Sequence, residues 1–334
     1  MSSRPRDVGG LVAFGMTPVL PFAAFAAIAP LAAYTTALAF FGLPHVLSEL
    51  RYVDRRFGRR LASVYWAPIA ALLAVIVAAR ACVVFGAAPA AIGAPLELGA
   101  GALLALICAR GAGAQKIVAL TVAGAIGGAA LISPFTTSVA VAILHNFTPL
   151  GFLWQIAPRA ERARVMAAAG CGLLLLPLLA ASGGAHWALD ALGVPPSPLD
   201  PLGAGPLAAQ LGVYVPQAFL DGPGAVNFFT ASVIAQGAHY LAVIVILPAL
   251  SQRLDPGARG LVAWPRGALF ALACAAVAGL GLVPFFADFA RARAYYGLFA
   301  AVHAWIEVPV LILALTGGVS EESQSPASTL PLQA

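Results

Sequence analysis

The chain has 334 residues, of which 61% are hydrophobic and only 9% charged, with a mean hydropathy of +0.92; soluble domains run at about 45–50% apolar and 25% charged. This excludes an ordinary soluble enzyme and leaves a polytopic membrane protein, and the Ala-, Leu- and Val-rich runs without strict alternation exclude a barrel. A net charge of +5 does not make a nucleic-acid partner, because 17 of the 18 basic residues are Arg gathered at segment ends, where they report topology.

Taken in chain order, the apolar runs predict an all-α bundle of about ten transmembrane helices, over 9–29, 31–50, 61–79, 95–110, 117–133, 135–157, 165–182, 225–250, 267–287 and 297–315. The first run starts near Gly9 and reaches Leu50 with no A-x-A-like cleavage site, so it reads as a retained hairpin and not a signal peptide. Pro30 and Pro134 each divide a run of about forty residues into two helices. Arg4 and Arg6, RYVDRRFGRR, Arg110 with Lys116, PRAERAR and SQRLDPGARG all fall on one side. The positive-inside rule makes that side the cytoplasm and places the chain in the inner membrane with both termini cytoplasmic.

The opposite side carries the connection over 183–224, rich in Gly and Pro and free of Lys and Arg. It predicts a loop with one short surface helix, a lid over the bundle. The chain reads as a single membrane domain over 1–316 followed by a disordered polar cytoplasmic tail over 317–334. Cys82, Cys108, Cys171 and Cys274 fall in or beside apolar segments with no CxxC pair, which argues for small buried residues and against a disulfide framework.

The chemistry lies inside the spans. Glu49 and Glu307 are the acids that fall within them, and each stands four residues after a histidine, His45 and His303. That spacing puts imidazole and carboxylate on one face of a helix, one turn apart. His145 and His239 lie in two further spans. Each ionisable group at helix-centre depth costs about 2.5–3.5 kcal/mol or more on insertion scales, so six of them need one another or a metal.

His145, His239 and His303 are each 12 or 13 residues from the cytoplasmic end of their helices, a depth of about 20 Å. His45 joins that layer only if its helix runs past Arg51, with Arg51 and Arg55 snorkelling to water. Imidazole with carboxylate suits Fe, Mn or Zn. The four histidines are the metal-ligand candidates, and Glu49 and Glu307 are the candidate catalytic carboxylates, either ligands of a second ion or partners that orient imidazole N–H groups.

Asn146, Gln236, Ser48 and Asn227 are smaller candidates for orienting ligands, while Tyr240 and Trp305 are placed to line a substrate channel. Pro44 and Pro149 predict kinks beside His45 and His145, and His186 falls in the outer loop away from the site.

The run Gly42-Leu43-Pro44-His45, with an acid at Glu49, resembles the opening motif of the Brp/Blh family of bacterial membrane β-carotene cleavage enzymes, G-x-P-H-G-A-x-D-H. Glu49 takes the acid position and Leu50 replaces the second histidine. His145 in LHNF, His239 in QGAHY and His303 in the last span are similar to the family's later histidines in order. The resemblance implies one or two non-haem iron ions held by His45, His145, His239 and His303. It also implies dioxygen activated within the bilayer to cleave a polyene or oxidise another lipid-soluble substrate. The rival class is a transporter or proton-coupled carrier with an intramembrane His/Glu relay. A b-type cytochrome would use paired histidines on haem, and the histidine boxes of lipid desaturases do not occur.

Overall fold

The computed structural model describes residues 7–317, and all their regular elements are helical, with no strand among them. The expected tail from 318 onward lies outside the described residues. Ten helices are long and apolar enough to span a membrane: α1 (Val8–Ile28), α2 (Pro30–Phe57), α3 (Ser63–Val84), α4 (Ala90–Arg110), α5 (Ala114–Ile132), α6 (Pro134–Ile156), α7 (Arg162–Ala181), α8 (Ala225–Leu254), α9 (Gly267–Ala287) and α10 (Phe289–Leu315). Pro30 and Pro134 begin α2 and α6 as expected, since proline's fixed φ and missing N–H suit the first turn. Asp7 and Asp288 cap α1 and α10, accepting from the backbone N–H of Gly10 at 2.7 Å and of Arg291 at 3.0 Å.

Burial ranks the helices. The most apolar windows of α2, α8 and α10 are 72%, 67% and 44% buried, against 6% for α9 and 11% for α5, so the first three form the centre. On the periphery Leu131, Ile132 and Leu280 are 89%, 88% and 76% exposed. A surface of that kind would aggregate in water and is the ordinary outer surface of a bundle in hydrocarbon.

The arginine-rich ends converge at one end of the bundle. Asp255 at the foot of α8 pairs with Arg56 at 2.8 Å and with Arg60, both from the α2 end, and Arg56 also donates to Gln155 Oε1 of α6 at 3.2 Å. Gly9 N donates to Glu161 Oε2 at 2.8 Å and ties the start of α1 to the α6–α7 loop.

At the opposite end the 183–224 connection holds one surface helix, Gly184–Ala191, as expected, together with short helical turns at Leu207–Gln210, Leu211–Val213 and Gln217–Phe219. Asp200 accepts from the N–H groups of Ala204 and Gly205 at 2.9 and 2.8 Å, and Ser197 N donates to Ile28 O at 2.7 Å, so this segment is pinned onto the bundle. Leu211, Tyr214 and Val215 are buried beneath it, with Tyr214 against Tyr34 and Phe229. Burial pushes the Tyr214 hydroxyl well above its usual range, with Tyr34 and Tyr240 adding to the effect and Arg293 opposing it.

Two expectations require correction. Of the four free cysteines only Cys108 is buried; Cys82 and Cys171 face outward, where a small side chain meets lipid without cost. The helices α3 and α4 also reach further than hydropathy placed them, to Val84 and back to Ala90, which brings Arg80 inside a span and moves Glu97 from a span edge to the interior.

Candidate metal centre

Three of the histidines sit on the three most buried helices, His45 on α2, His239 on α8 and His303 on α10, and each is at most 1% exposed. The helix α2 runs seven residues past Leu50 to Phe57, which places His45 twelve residues from its end, level with His303, also twelve from the end of α10. The depth mismatch that a helix ending at Leu50 would create is thereby removed.

Prolines shape the backbone at the ligand positions. In α6 the helix breaks at Asn146 and Phe147, between Pro134–His145 and Thr148–Ile156. Pro149 has no N–H to give the His145 carbonyl, and the Thr148 hydroxyl donates to it instead at 2.7 Å. In α8 an i→i+5 turn over Ala242–Ile246 lies just beyond His239 and ahead of Pro248. In α2 Pro44 withdraws the N–H due to Phe40, and one residue on His45 Nδ1 lies 3.2 Å from Phe41 O, to which it donates.

The four imidazoles meet. His45 Nε2 and His145 Nε2 each lie 3.0 Å from His303 Nε2, and the His239 ring centroid is 4.6 Å from that of His145 and 5.4 Å from that of His45. Glu49 turns its Oε2 to within 3.4 Å of His239 Nε2 and 3.9 Å of His303 Nε2. His45, Glu49, His145, His239 and His303 each offer one donor atom, and these atoms lie within 4.8 Å of one another. This group could hold a metal ion.

Glu307 plays a different part. Its Oε2 lies 2.6 Å from His145 Nδ1, and its Oε1 is 2.9 Å from the Thr148 hydroxyl, whose single hydrogen it shares with the His145 carbonyl. It stands behind a histidine at ion-pair distance, and its charge favours a proton on the facing Nδ1. The two His-x3-Glu pairs are therefore unequal, one carboxylate entering the donor group and the other supporting it from outside.

The donor set fits a cation on internal grounds. His45 gives its Nδ1 proton to Phe41 O, and the Glu307 carboxylate, 2.6 Å from His145 Nδ1 at ion-pair distance without hydrogen-bond geometry, favours the proton on that nitrogen, so both rings turn an Nε2 lone pair toward His303 Nε2. One His303 N–H can satisfy only one of them. Both Glu49 oxygens and His239 Nε2 are buried with no hydrogen-bond partner among the described residues, an arrangement whose cost a bound cation removes. Two nitrogens at right angles on a metal, each at about 2.1 Å, lie about 3.0 Å apart, which is the separation found here for two of the pairs.

A cavity of about 240 Å³ opens beside the cluster, with His45, His145, His303, Tyr240, Tyr296 and Trp305 in its wall. Tyr240 stacks on the His45 ring at 4.1 Å between centroids and accepts from Gln236 Nε2 at 2.6 Å. Trp305 Nε1 donates to Glu97 Oε1 at 2.9 Å. Tyr240 and Trp305 thus line the cavity as the sequence placed them, whereas Gln236 bonds Tyr240 and no histidine. Asn146 bonds its own helix at Ala142 O, and His186 is absent from the donor group.

Sequence reasoning passed over Thr148, Tyr296, Arg80, Glu97 and Arg293. Tyr296 was findable, lying seven residues before His303 and so on the same helical face. Against the protein-family models, the curated proteins and the solved structures, the chain gives no match in any of the three comparisons.

Proposed function

We propose that this chain is an integral membrane non-haem iron oxygenase that acts on a lipid-soluble substrate, with oxidative cleavage of a carotenoid-like polyene as the favoured reaction. The observation that carries the reading is the convergence of three buried imidazoles, the half-buried His145 and one buried carboxylate on a single point beside a cavity inside the bundle. The order of the histidines and the Gly-x-Pro-His opening, which resemble Brp/Blh enzymes, support the choice of metal and substrate class. One ion is proposed, because Glu307 stands outside the donor group.

Iron, when bound, supplies the electrons that activate dioxygen for reaction with a carbon–carbon double bond. Cleavage of one double bond by one dioxygen molecule gives two carbonyls and requires no further reductant. The chain's own residues do the rest. His45, His145, His239 and His303 present neutral nitrogens, and Glu49 offsets part of the ion's charge in a medium that solvates it poorly. The Phe41 carbonyl holds the Nδ1 proton of His45, and the Glu307 charge beside His145 Nδ1 favours a proton there, which keeps the Nε2 atoms free. Tyr240, Tyr296 and Trp305 offer flat apolar faces to an extended substrate, and Val213 and Tyr214 of the 183–224 segment complete the cavity wall.

Metal analysis with an absorption spectrum of the detergent-purified protein tests this reading. Near-stoichiometric iron, lost in His239→Ala, and no Soret band are expected. Metal-free wild-type protein that still turns over a polyene would end the reading. A proton-coupled carrier is the second reading, favoured by a further groove of about 880 Å³ that reaches Ser48 from the arginine-rich end, so that cavities approach the cluster from both sides. Proton-driven flux in vesicles that survives complete removal of metal would select it.

A further inference from the structure

Basic residues on the side opposite the arginine-rich end run against the topology rule and call for a local reason. Arg80 and Arg293 are two of them, and both line the cavity beside the histidines. Arg80 is accounted for: it pairs with Glu97 through Nη2 and through Nε at 3.0 Å, and its Nη1 donates to Gly297 O at 2.8 Å.

Arg293 has no carboxylate partner among the described residues. Its Nη1 donates to Gln210 Oε1 at 2.8 Å and approaches the Tyr34 hydroxyl at 3.5 Å, both neutral acceptors. Gln210 is buried and held in turn by the donation of its Nε2 to Ala204 O at 2.7 Å, so the lid and α2 fix the guanidinium in place without neutralising it. The charges lining the cavity are Arg80 and Glu97, which cancel, and Arg293, which remains. Arg293 lies ten residues before His303 on α10, about 15 Å along the axis.

We propose that Arg293 is a specificity-determining residue that receives a carboxylate at one end of a lipid-soluble substrate, whose chain then runs along α10 past Tyr296 to the histidine cluster. This rests on the oxygenase reading for the direction in which the chain runs, and on the cavity alone for the carboxylate site. A guanidinium offers a carboxylate two parallel N–H donors, and a partly buried setting strengthens that bond relative to water. A methyl ester presents the same chain with no charge, so the site distinguishes acid from ester.

The test uses the full chain in detergent micelles with cis-parinaric acid, a fluorescent polyene carboxylate, and its methyl ester. Binding is followed by the rise in probe fluorescence, and metal content and melting temperature are measured for every variant. The wild type is expected to prefer the acid by about tenfold or more, the worth of one charge-assisted bidentate contact. Arg293→Gln should lose that preference and bind the ester unchanged, Arg293→Lys should retain part of it, and Arg291→Gln, whose exposed guanidinium bonds Tyr295, should behave as wild type.

Equal binding of acid and ester by the wild type would overturn the proposal. So would an acid preference that survives in Arg293→Gln, or one that is lost equally in Arg291→Gln. A fall in ester binding together with melting temperature in Arg293→Gln would mark a merely structural role, and Arg293→Lys then decides by keeping or losing the preference. Iron-free protein that still prefers the acid leaves the carboxylate site standing while the oxygenase reading falls. Iron-loaded protein without the preference does the reverse.

Discussion

Glu307 is the residue whose substitution separates a supporting carboxylate from a ligand. Its Oε2 lies 2.6 Å from His145 Nδ1, its Oε1 is 2.9 Å from the Thr148 hydroxyl, and its side chain is fully buried. A hydrogen bond to a charged group contributes about 1.5–3 kcal/mol net, and a neutral one about 0.5–1.5. Glu307→Gln preserves an acceptor and removes the charge, so the His145 nitrogen becomes less basic and metal affinity falls by about tenfold. Glu307→Ala leaves His145 Nδ1 with no carboxylate beside it, while the Thr148 hydroxyl keeps the His145 carbonyl, and the loss grows to about 100-fold. Glu49→Gln, which alters the donor group itself, should weaken binding more than Glu307→Gln. Affinity is read by competing the purified protein against a graded series of chelators and counting retained metal. If Glu307→Ala holds metal as tightly as wild type, or if Glu307→Gln loses as much as His239→Ala, the division of labour between the two glutamates is wrong.

Three further outcomes follow from the same geometry. Gly101→Ala would place a Cβ inside the Trp305 indole and should cost about 1–3 kcal/mol, read as a lower melting temperature, whereas Gly127→Ala meets only Ala102 Cβ at 3.9 Å and should be neutral. Glu97→Gln leaves Arg80 without its charge partner inside a span, so the melting temperature should fall while metal content should not change. Stripping the metal should lower stability by about 2.7 kcal/mol relative to protein held at 100 times Kd; a melting curve indifferent to metal would show that the donor group is not a binding site.

The spans were legible because hydropathy reports the solvent around a helix, and the histidine layer was legible because the rise per residue converts sequence position into depth. The ion pair of Arg80 with Glu97 was hidden for the same reason. A polar pair lowers the hydropathy of the turns that carry it, so the runs were expected to end at 79 and begin again at 95, just outside Arg80 and two residues before Glu97. Neither residue betrays alone that the other neutralises it; that is a property of α3 packing on α4 and of Trp305 arriving from α10.

The two His-x3-Glu pairs mark the same boundary between local and tertiary information. Spacing establishes that His45 with Glu49, and His303 with Glu307, share a helical face, and it treats the pairs as equivalents. In the folded bundle neither glutamate partners its own helix's histidine: Glu49 reaches across to His239 and His303, and Glu307 to His145. What distinguishes them is the neighbour each face meets. Glu49 projects from α2 toward α8 and α10, into the space where the lone pairs meet, whereas Glu307, at the same level on α10, lies beside the break in α6 and within 2.9 Å of the Thr148 hydroxyl. The neighbour that each face meets, and not its level, is therefore what turns identical local motifs into a donor-group member and a supporting carboxylate.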